Sequence, residues 1–174
     1  MKFLYSIFLV NVFLFIFNNV SAQEKMSYVD MERLMNSSEA GKSITSQLTS
    51  LHKKTISDLK LIEDQLKKDE SEIMKQKNVI SQDEFEKKIS VLRNKAQEYQ
   101  KKRAQANDSL NKKRLNAMSN LVNIIQPILA EYADKNSISI IFQKKNIIIG
   151  KTELDITSEI LEILNKSHKK IAIN

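Results

Sequence analysis

The chain has 174 residues, with two glycines, one proline and no cysteine, and its 28 basic and 21 acidic side chains give a formal net charge of +7. The lack of cysteine excludes a disulfide framework, so packing alone must hold the fold together. So little glycine and proline, with aromatic residues at only 6%, favours one mostly helical domain over two globular ones.

Residues 1–22 have the pattern of a signal peptide. Lys2 supplies a positive start, Phe3–Phe17 is largely apolar, and small residues lead up to Ala22. A transmembrane anchor is the alternative, but the apolar run is shorter than the roughly 20 residues that a bilayer requires. No cysteine follows this run, which excludes a lipoprotein anchor. We therefore expect export, with cleavage after Ala22.

The segment after the signal peptide opens with a short β-strand pattern. Met26–Met31 places Tyr28 and Val29 side by side, and Glu32–Met35 can then form one helical turn. Asp30 lies between the two. A binding site at Asp30 is conceivable, but capping of the helical turn explains this residue more simply.

Residues 44–120 predict a long antiparallel helical hairpin. Seam side chains, mostly apolar, recur at steps of three and four in both halves, a 3.5-residue repeat that places one narrow seam on each helix. Thr55 opposite Arg103 interrupts the seam and predicts arms that can flex. The seam residues are Ile44, Leu48, Leu51, Thr55, Leu59, Ile62, Leu66, Asp69 and Ile73, then Phe85, Ile89, Leu92, Ala96, Tyr99, Arg103, Ala106 and Leu110.

The turn of this hairpin is predicted at residues 79–82. Antiparallel pairing sets Leu66 opposite Leu92, which places the fold-back near Val79. Ser81 followed by Glu84 matches a capping box, so the second helix is expected to begin at about Gln82.

The returning helix carries the positive charge. Residues 85–120 contain 10 basic and 3 acidic side chains, whereas residues 44–84 contain 7 and 8. A solvated helix face is the simplest interpretation. Nucleic-acid binding is disfavoured by export and by the lack of interleaved aromatic residues, which leaves anionic lipid or an acidic polypeptide as a binding partner. The candidate contact residues are Lys87, Lys88, Arg93, Lys95, Lys101, Lys102, Arg103, Lys112, Lys113 and Arg114.

Residues 121–174 predict the remainder of a small body. A broad apolar helical face over residues 121–132 implies burial, and Pro127 is expected to kink or interrupt that helix. Residues 138–142 and 147–149 have the pattern of a β-hairpin, and Asp155 or Thr157 can cap a last amphipathic helix.

Residues 23–43 and 121–174 together would form this body, with three short strands. Such strands need cover on both faces, which association between chains would provide. The alternative is a monomer whose last helix covers a three-stranded sheet. The residues expected in the association body are Tyr28, Val29, Ile138, Ile140, Phe142, Ile147 and Ile149.

Catalysis finds no support in the sequence. His52 and His168 have no cysteine, histidine or carboxylate cluster around them in the pattern, and no phosphate loop or nucleophile elbow occurs. We predict no catalytic residue, no metal site and no cofactor.

Three motifs resemble the Skp/OmpH family of periplasmic chaperones. They are SYVDMERLM at residues 27–35, SEAGK at 38–42 and LDIT at 154–157, and the resemblance extends over the mature chain. It implies a periplasmic homotrimer in which a β body of strands from three chains projects helical arms around a cavity. It also implies that unfolded outer-membrane proteins are held in this cavity without ATP or metal.

The resulting expectation is a mainly α protein with a small trimeric β body and a coiled-coil arm, acting as an ATP-independent holdase. Exposed apolar side chains off the seam and the basic helix would make many weak contacts with clients. Peripheral contact with anionic lipid or lipopolysaccharide stays open. The alternative is an exported coiled-coil adaptor that bridges envelope components through a folded partner.

Overall fold

The computed structural model describes residues 24–173, so the predicted signal peptide and its cleavage site lie outside the described residues. These residues are mostly helical, with one small sheet. The elements are strand β1 (Lys25–Val29), helices α1 (Met31–Ser37), α2 (Glu39–Gln76) and α3 (Gln82–Lys135), strand β2 (Ile138–Gln143), 3-10 turns at Lys144–Asn146 and Thr152–Leu154, and helix α4 (Thr157–Ser167).

Side-chain N-caps define the starts of the first two helices. Asp30 is the N-cap of α1, and its carboxylate accepts a hydrogen bond from the Arg33 N–H at 2.9 Å, as the sequence predicted. Ser38 then caps α2 by accepting from the Gly41 N–H at 3.1 Å. The two caps let the chain turn from β1 into α2 within a few residues.

Helices α2 and α3 pack against each other through the predicted repeat. Every seam residue predicted in α2 is at least half-buried, while most of its neighbours are exposed. The same holds in α3, except that the Arg103 side chain is exposed. With 38 and 54 residues, the helices are about 57 and 81 Å long at 1.5 Å per residue.

The turn between these helices follows the predicted cap. Helix α2 ends at Gln76 and α3 begins at Gln82, where the Glu84 N–H donates to the Ser81 hydroxyl at 3.3 Å. Helix α3 then continues through Pro127 to Lys135 without interruption. The interruption expected at the proline is therefore wrong, because the helix forgoes one hydrogen bond there while its apolar face stays packed in the core.

The small sheet joins distant parts of the chain. Strands β1 and β2 pair in parallel, with Tyr28 opposite Phe142 and Ser27 opposite Ile141. Beneath them, the apolar sides of α1, α4 and the adjoining parts of α2 and α3 form one core. Its buried residues are Val29, Leu34, Ala40, Ile44, Ala117, Leu121, Ile125, Ile156, Ile160, Leu164 and Ile171.

The predicted third strand at residues 147–149 does not form, so the β-hairpin prediction is wrong. The 3-10 turn Lys144–Asn146 directs the chain away from β2, and β1 occupies a hydrogen-bonding edge of β2 as a parallel partner. Only two strands are present in residues 24–173. Among the helices of the same residues, none combines the length and hydropathy that a bilayer crossing needs.

Candidate functional site

The ten basic residues singled out in the sequence all lie on α3 and surround it, instead of forming one stripe. All are exposed except Lys113, which is half-buried. Because successive helical residues are rotated by about 100°, Lys88, Lys95 and Lys102, spaced by seven, share one flank. That flank faces α2, and all three side chains line grooves between the helices. Lys101 and Lys112 point away from the seam.

Two of these lysines bridge the helices. Lys95 Nζ lies 2.7 Å from an Asp69 carboxylate oxygen, and Lys88 donates to the Gln76 side chain. The hydrogen bond from Lys95, supported by one from Gln65, lowers the pKa of the Asp69 carboxyl below its ordinary value. Asp69, the acidic residue in the predicted seam, therefore forms an ion pair between the helices. Lys112 pairs within α3 with Asp108 at 2.9 Å.

The other seven of these ten basic side chains have no acidic partner within 4 Å in residues 24–173. They are Lys87, Arg93, Lys101, Lys102, Arg103, Lys113 and Arg114. Arg114 lines a groove nearer the sheet, together with Ile44, His52 and Met118. Most of the positive charge on α3 is therefore directed to solvent.

Large apolar side chains are exposed between these charges. Ile56, Leu61, Met74 and Val91, predicted to lie off the seam, are all exposed, and Leu61 is 68% accessible. Leu115 on α3 is exposed as well and was missed, because it lies beyond Leu110, where the repeat used to find the seam ends. The outer surface of α2 and α3 thus combines scattered hydrocarbon with unpaired positive charge.

The residues assigned to the association body divide into two groups. Tyr28, Val29 and Ile138 are buried within the chain, whereas Ile140, Phe142 and Ile149 are exposed and Ile147 is half-buried. Ile148, which sequence reasoning did not single out, is 99% exposed, and Ile149 is 91% exposed. Exposed apolar side chains at one end of a small body mark a surface that another molecule can cover.

A polar cluster fixes the start of α4 against β1. The Asp30 N–H donates to Thr157 Oγ1 at 2.8 Å, and the Thr157 N–H donates to Asp155 Oδ1 at 3.0 Å. Lys144 pairs with the same Asp155 carboxylate at 3.0 Å and lies 6.0 Å from the centre of the Tyr28 ring. The LDIT motif thus positions α4 through Asp155, although Ile156 is the N-cap residue by position.

Opposing effects set the acidity of Asp155. Burial alone would raise the pKa of its carboxyl, but hydrogen bonds from Thr157 and Lys144 together lower it below the ordinary value. The paired carboxylate in turn raises the pKa of Lys144. This ion pair escaped sequence reasoning because its partners are eleven positions apart and belong to no helical repeat.

Neither histidine lies in a catalytic arrangement. His52 is exposed beside the groove that Arg114 lines, and His168 Nδ1 lies 2.9 Å from the neighbouring Ser167 hydroxyl. Among residues 24–173, no group of three histidine, cysteine or acidic side chains is placed to hold a metal ion.

Comparisons with known proteins agree with one another. Residues 25–164 match the model of the family described as outer membrane protein (OmpH-like). A Skp-like protein of Chlamydia pneumoniae is 24% identical over 168 residues, which cover 93% of this chain and 96% of that protein. A crystal structure from Caulobacter crescentus, provisionally described as an outer membrane chaperone (OmpH-like), matches with a TM-score of 0.83. That match has 17% identity and covers 87% of this chain and 89% of the other, a likeness that shows the fold.

Proposed function

We propose, because this chain belongs to the OmpH-like outer membrane protein family, that it is an exported, ATP-independent holdase that keeps unfolded outer-membrane proteins soluble in the periplasm. One observation carries the proposal. Two very long helices pack through one narrow seam and leave apolar and basic side chains together on their outer surface. A compact enzyme or a rigid spacer has no need of such a surface.

The physical mechanism is retention by many weak contacts. Exposed residues such as Leu61, Val91 and Leu115 each offer a small apolar area, and the lysine and arginine stems around them add hydrocarbon beneath a charged tip. No single contact selects a client sequence. Several contacts made at once raise the effective concentration of the next and slow the escape of the client.

The proposal includes a homotrimer held together at the small body. Ile140 and Phe142 on β2, Met26 opposite Ile140 on β1, and Ile148 and Ile149 after β2 are all apolar side chains that a single chain leaves in water. Association through these side chains would remove them from water and place three pairs of long helices side by side. The space enclosed by these arms would hold the client.

The basic side chains of α3 give the proposal an electrostatic part. Positive charge without acidic partners attracts acidic segments of a client, and also anionic lipid or lipopolysaccharide head groups, from a distance. Such attraction raises capture rates more than final affinity, and salt weakens it.

An aggregation assay on the mature chain tests the proposal. Several unrelated barrel proteins are diluted from urea, and their light scattering is followed with increasing amounts of the chain. We expect suppression at near-stoichiometric ratio for every client. An adaptor with one folded partner would suppress none of them, and that result would refute the holdase function.

A triple variant tests whether exposed apolar side chains cause the suppression. Replacing Ile56, Leu61 and Val91 by Gln should weaken suppression and leave the helical circular dichroism signal unchanged, because all three are exposed. The matched control carries three substitutions to Ala at exposed polar positions of the same helices, namely Thr49, Asn94 and Gln105. Equal suppression by both variants would show that the surface contacts are not the ones proposed.

A further inference from the structure

Residues 168–173, here called the strap, follow α4 and lie beyond the part of the chain that the family model matches. The strap has no regular secondary structure, yet it packs onto the core. Ile171 is only 8% exposed and Ile173 lies against the core residues, while Ala172 between them points to solvent. This alternation is the pattern of an extended chain lying on an apolar surface.

A preformed polar group holds the strap against α2. The Gln47 side-chain amide donates to the Ile171 carbonyl at 2.6 Å. The same amide nitrogen lies 3.2 Å from the Ser43 carbonyl and 3.1 Å from its hydroxyl, so it stays hydrogen-bonded when the strap leaves. Because the contact is made to a main-chain carbonyl, it favours an extended backbone and selects no particular side chain.

Few interactions stabilise the docked form of the strap. Ordering six residues costs backbone entropy at each of them. The compensation comes from one buried isoleucine, one half-buried isoleucine, the Gln47 hydrogen bond and the hydrogen bond that the His168 N–H donates to the Leu164 carbonyl. These opposing contributions are of comparable size, so docked and released forms differ little in free energy. Release of the strap would uncover the apolar surface beside Gln47 that Ile171 and Ile173 cover, here called the seat. Another extended chain could then bind there.

We propose that this seat is a binding subsite for an extended apolar segment of an unfolded client, and that the strap occupies it as an internal competitor. The inference rests on the proposed holdase function. Segments that later become strands of a barrel place apolar side chains at every second position, as the strap does with Ile171 and Ile173. A client therefore offers the seat the same chemistry as the strap, and its apparent affinity is reduced by the fraction of chains whose strap is docked.

A labelled peptide tests the inference. The probe is a fluorescein-labelled peptide of residues 166–173, and its fluorescence anisotropy is measured with the mature chain and with a chain ended at Ser167. We expect the shortened chain to bind the probe about tenfold more tightly, as for a strap docked about nine-tenths of the time. An unlabelled unfolded outer-membrane protein should displace the probe. A control peptide with Ile171→Ser and Ile173→Ser should not bind.

Two substitutions keep the test decisive if the shortened chain loses its helical circular dichroism signal. Ile171→Ser in the full-length chain should release the strap and increase probe binding, and an added Gln47→Ala should reverse part of this increase. The inference is wrong if the shortened and Ile171→Ser chains bind the probe no better than the original chain, or if the client does not displace it. Those results leave aggregation suppression by the full-length chain untouched, whereas loss of that suppression refutes the holdase function instead.

Discussion

Gly41 at the start of α2 gives the sharpest quantitative prediction. A Cβ atom added at this position would lie 1.8 Å from the Met35 carbonyl oxygen and 2.8 Å from its carbonyl carbon, distances that no packed structure tolerates. The obstacle is backbone and cannot rotate away. Met35 is held within α1 by its neighbour Leu34. The Leu34 side chain is fully buried, and the Leu34 carbonyl accepts a hydrogen bond from the Ser38 N–H at 3.3 Å.

The size of the effect follows from these contacts. Alanine in place of glycine should gain about 0.5–1 kcal/mol from reduced backbone freedom in the unfolded chain. Against this, moving α1 away from α2 overpacks the core at a cost of about 1–3 kcal/mol and weakens the Ser38 cap, worth about 0.5–2 kcal/mol. We therefore expect Gly41→Ala to lower the free energy of unfolding by about 0.5–4.5 kcal/mol.

Urea denaturation followed by circular dichroism measures this difference, at one fixed protein concentration because association affects apparent stability. Gly150→Ala is the matched control. Its added Cβ would lie 3.0 Å from the Tyr28 ring edge and 3.4 Å from an Ile147 methyl group, and both side chains can shift. We expect this control to change the midpoint much less. A Gly41→Ala midpoint equal to that of the original chain would refute the close approach of α1 to α2.

Three further predictions concern charge and association. Because the pKa of Asp155 is lowered in the folded chain, its ionised form stabilises the fold above about pH 4, and this contribution disappears as pH falls through the folded pKa. The destabilisation caused by Asp155→Asn should therefore shrink when thermal unfolding is measured at acidic pH. A difference that stays constant from pH 7 to pH 3 would contradict this assignment. Phe142→Asp should convert a trimer into monomers in sedimentation equilibrium while the helical signal is retained, and an original chain that is already monomeric at all concentrations would end the trimer proposal. Client capture should slow by about tenfold between low and high ionic strength. Replacing three exposed α3 lysines that have no acidic partner within 4 Å by Gln should flatten this salt dependence more than the same change on α2, and equal slopes would remove the special role of α3. The α3 set is Lys87, Lys101 and Lys102, and the α2 control set is Lys54, Lys68 and Lys75.

Local signals accounted for most of what the sequence predicted correctly. The seam could be found because the spacing of apolar residues by three and four repeats over many helical turns. Leu66 and Leu92 could be assigned to it because many other residues of the same helices follow that spacing. The caps at Asp30 and Ser81 could be found because each needs only a few consecutive residues.

The errors arose where distant parts of the chain compete. Residues 147–149 have strand composition, but their predicted partner β2 is paired with β1, which lies more than a hundred residues earlier in the chain. Pro127 stays helical because packing outweighs one lost hydrogen bond. The strap and the Lys144–Asp155 pair depend on how α4 lies against the core, which no local pattern encodes.

The parallel pairing of β1 with β2 also sets an order of events. Lys25 cannot pair with Ile138 until all of the residues between them have been synthesised and have reached the same compartment. Helices α2 and α3, in contrast, can pack against each other starting from the turn that joins them, as soon as both are present. We therefore expect the long helices to form early in folding and the sheet to close last. A chain that enters a compartment amino end first must wait, with its leading strand unpaired, for the other end to arrive.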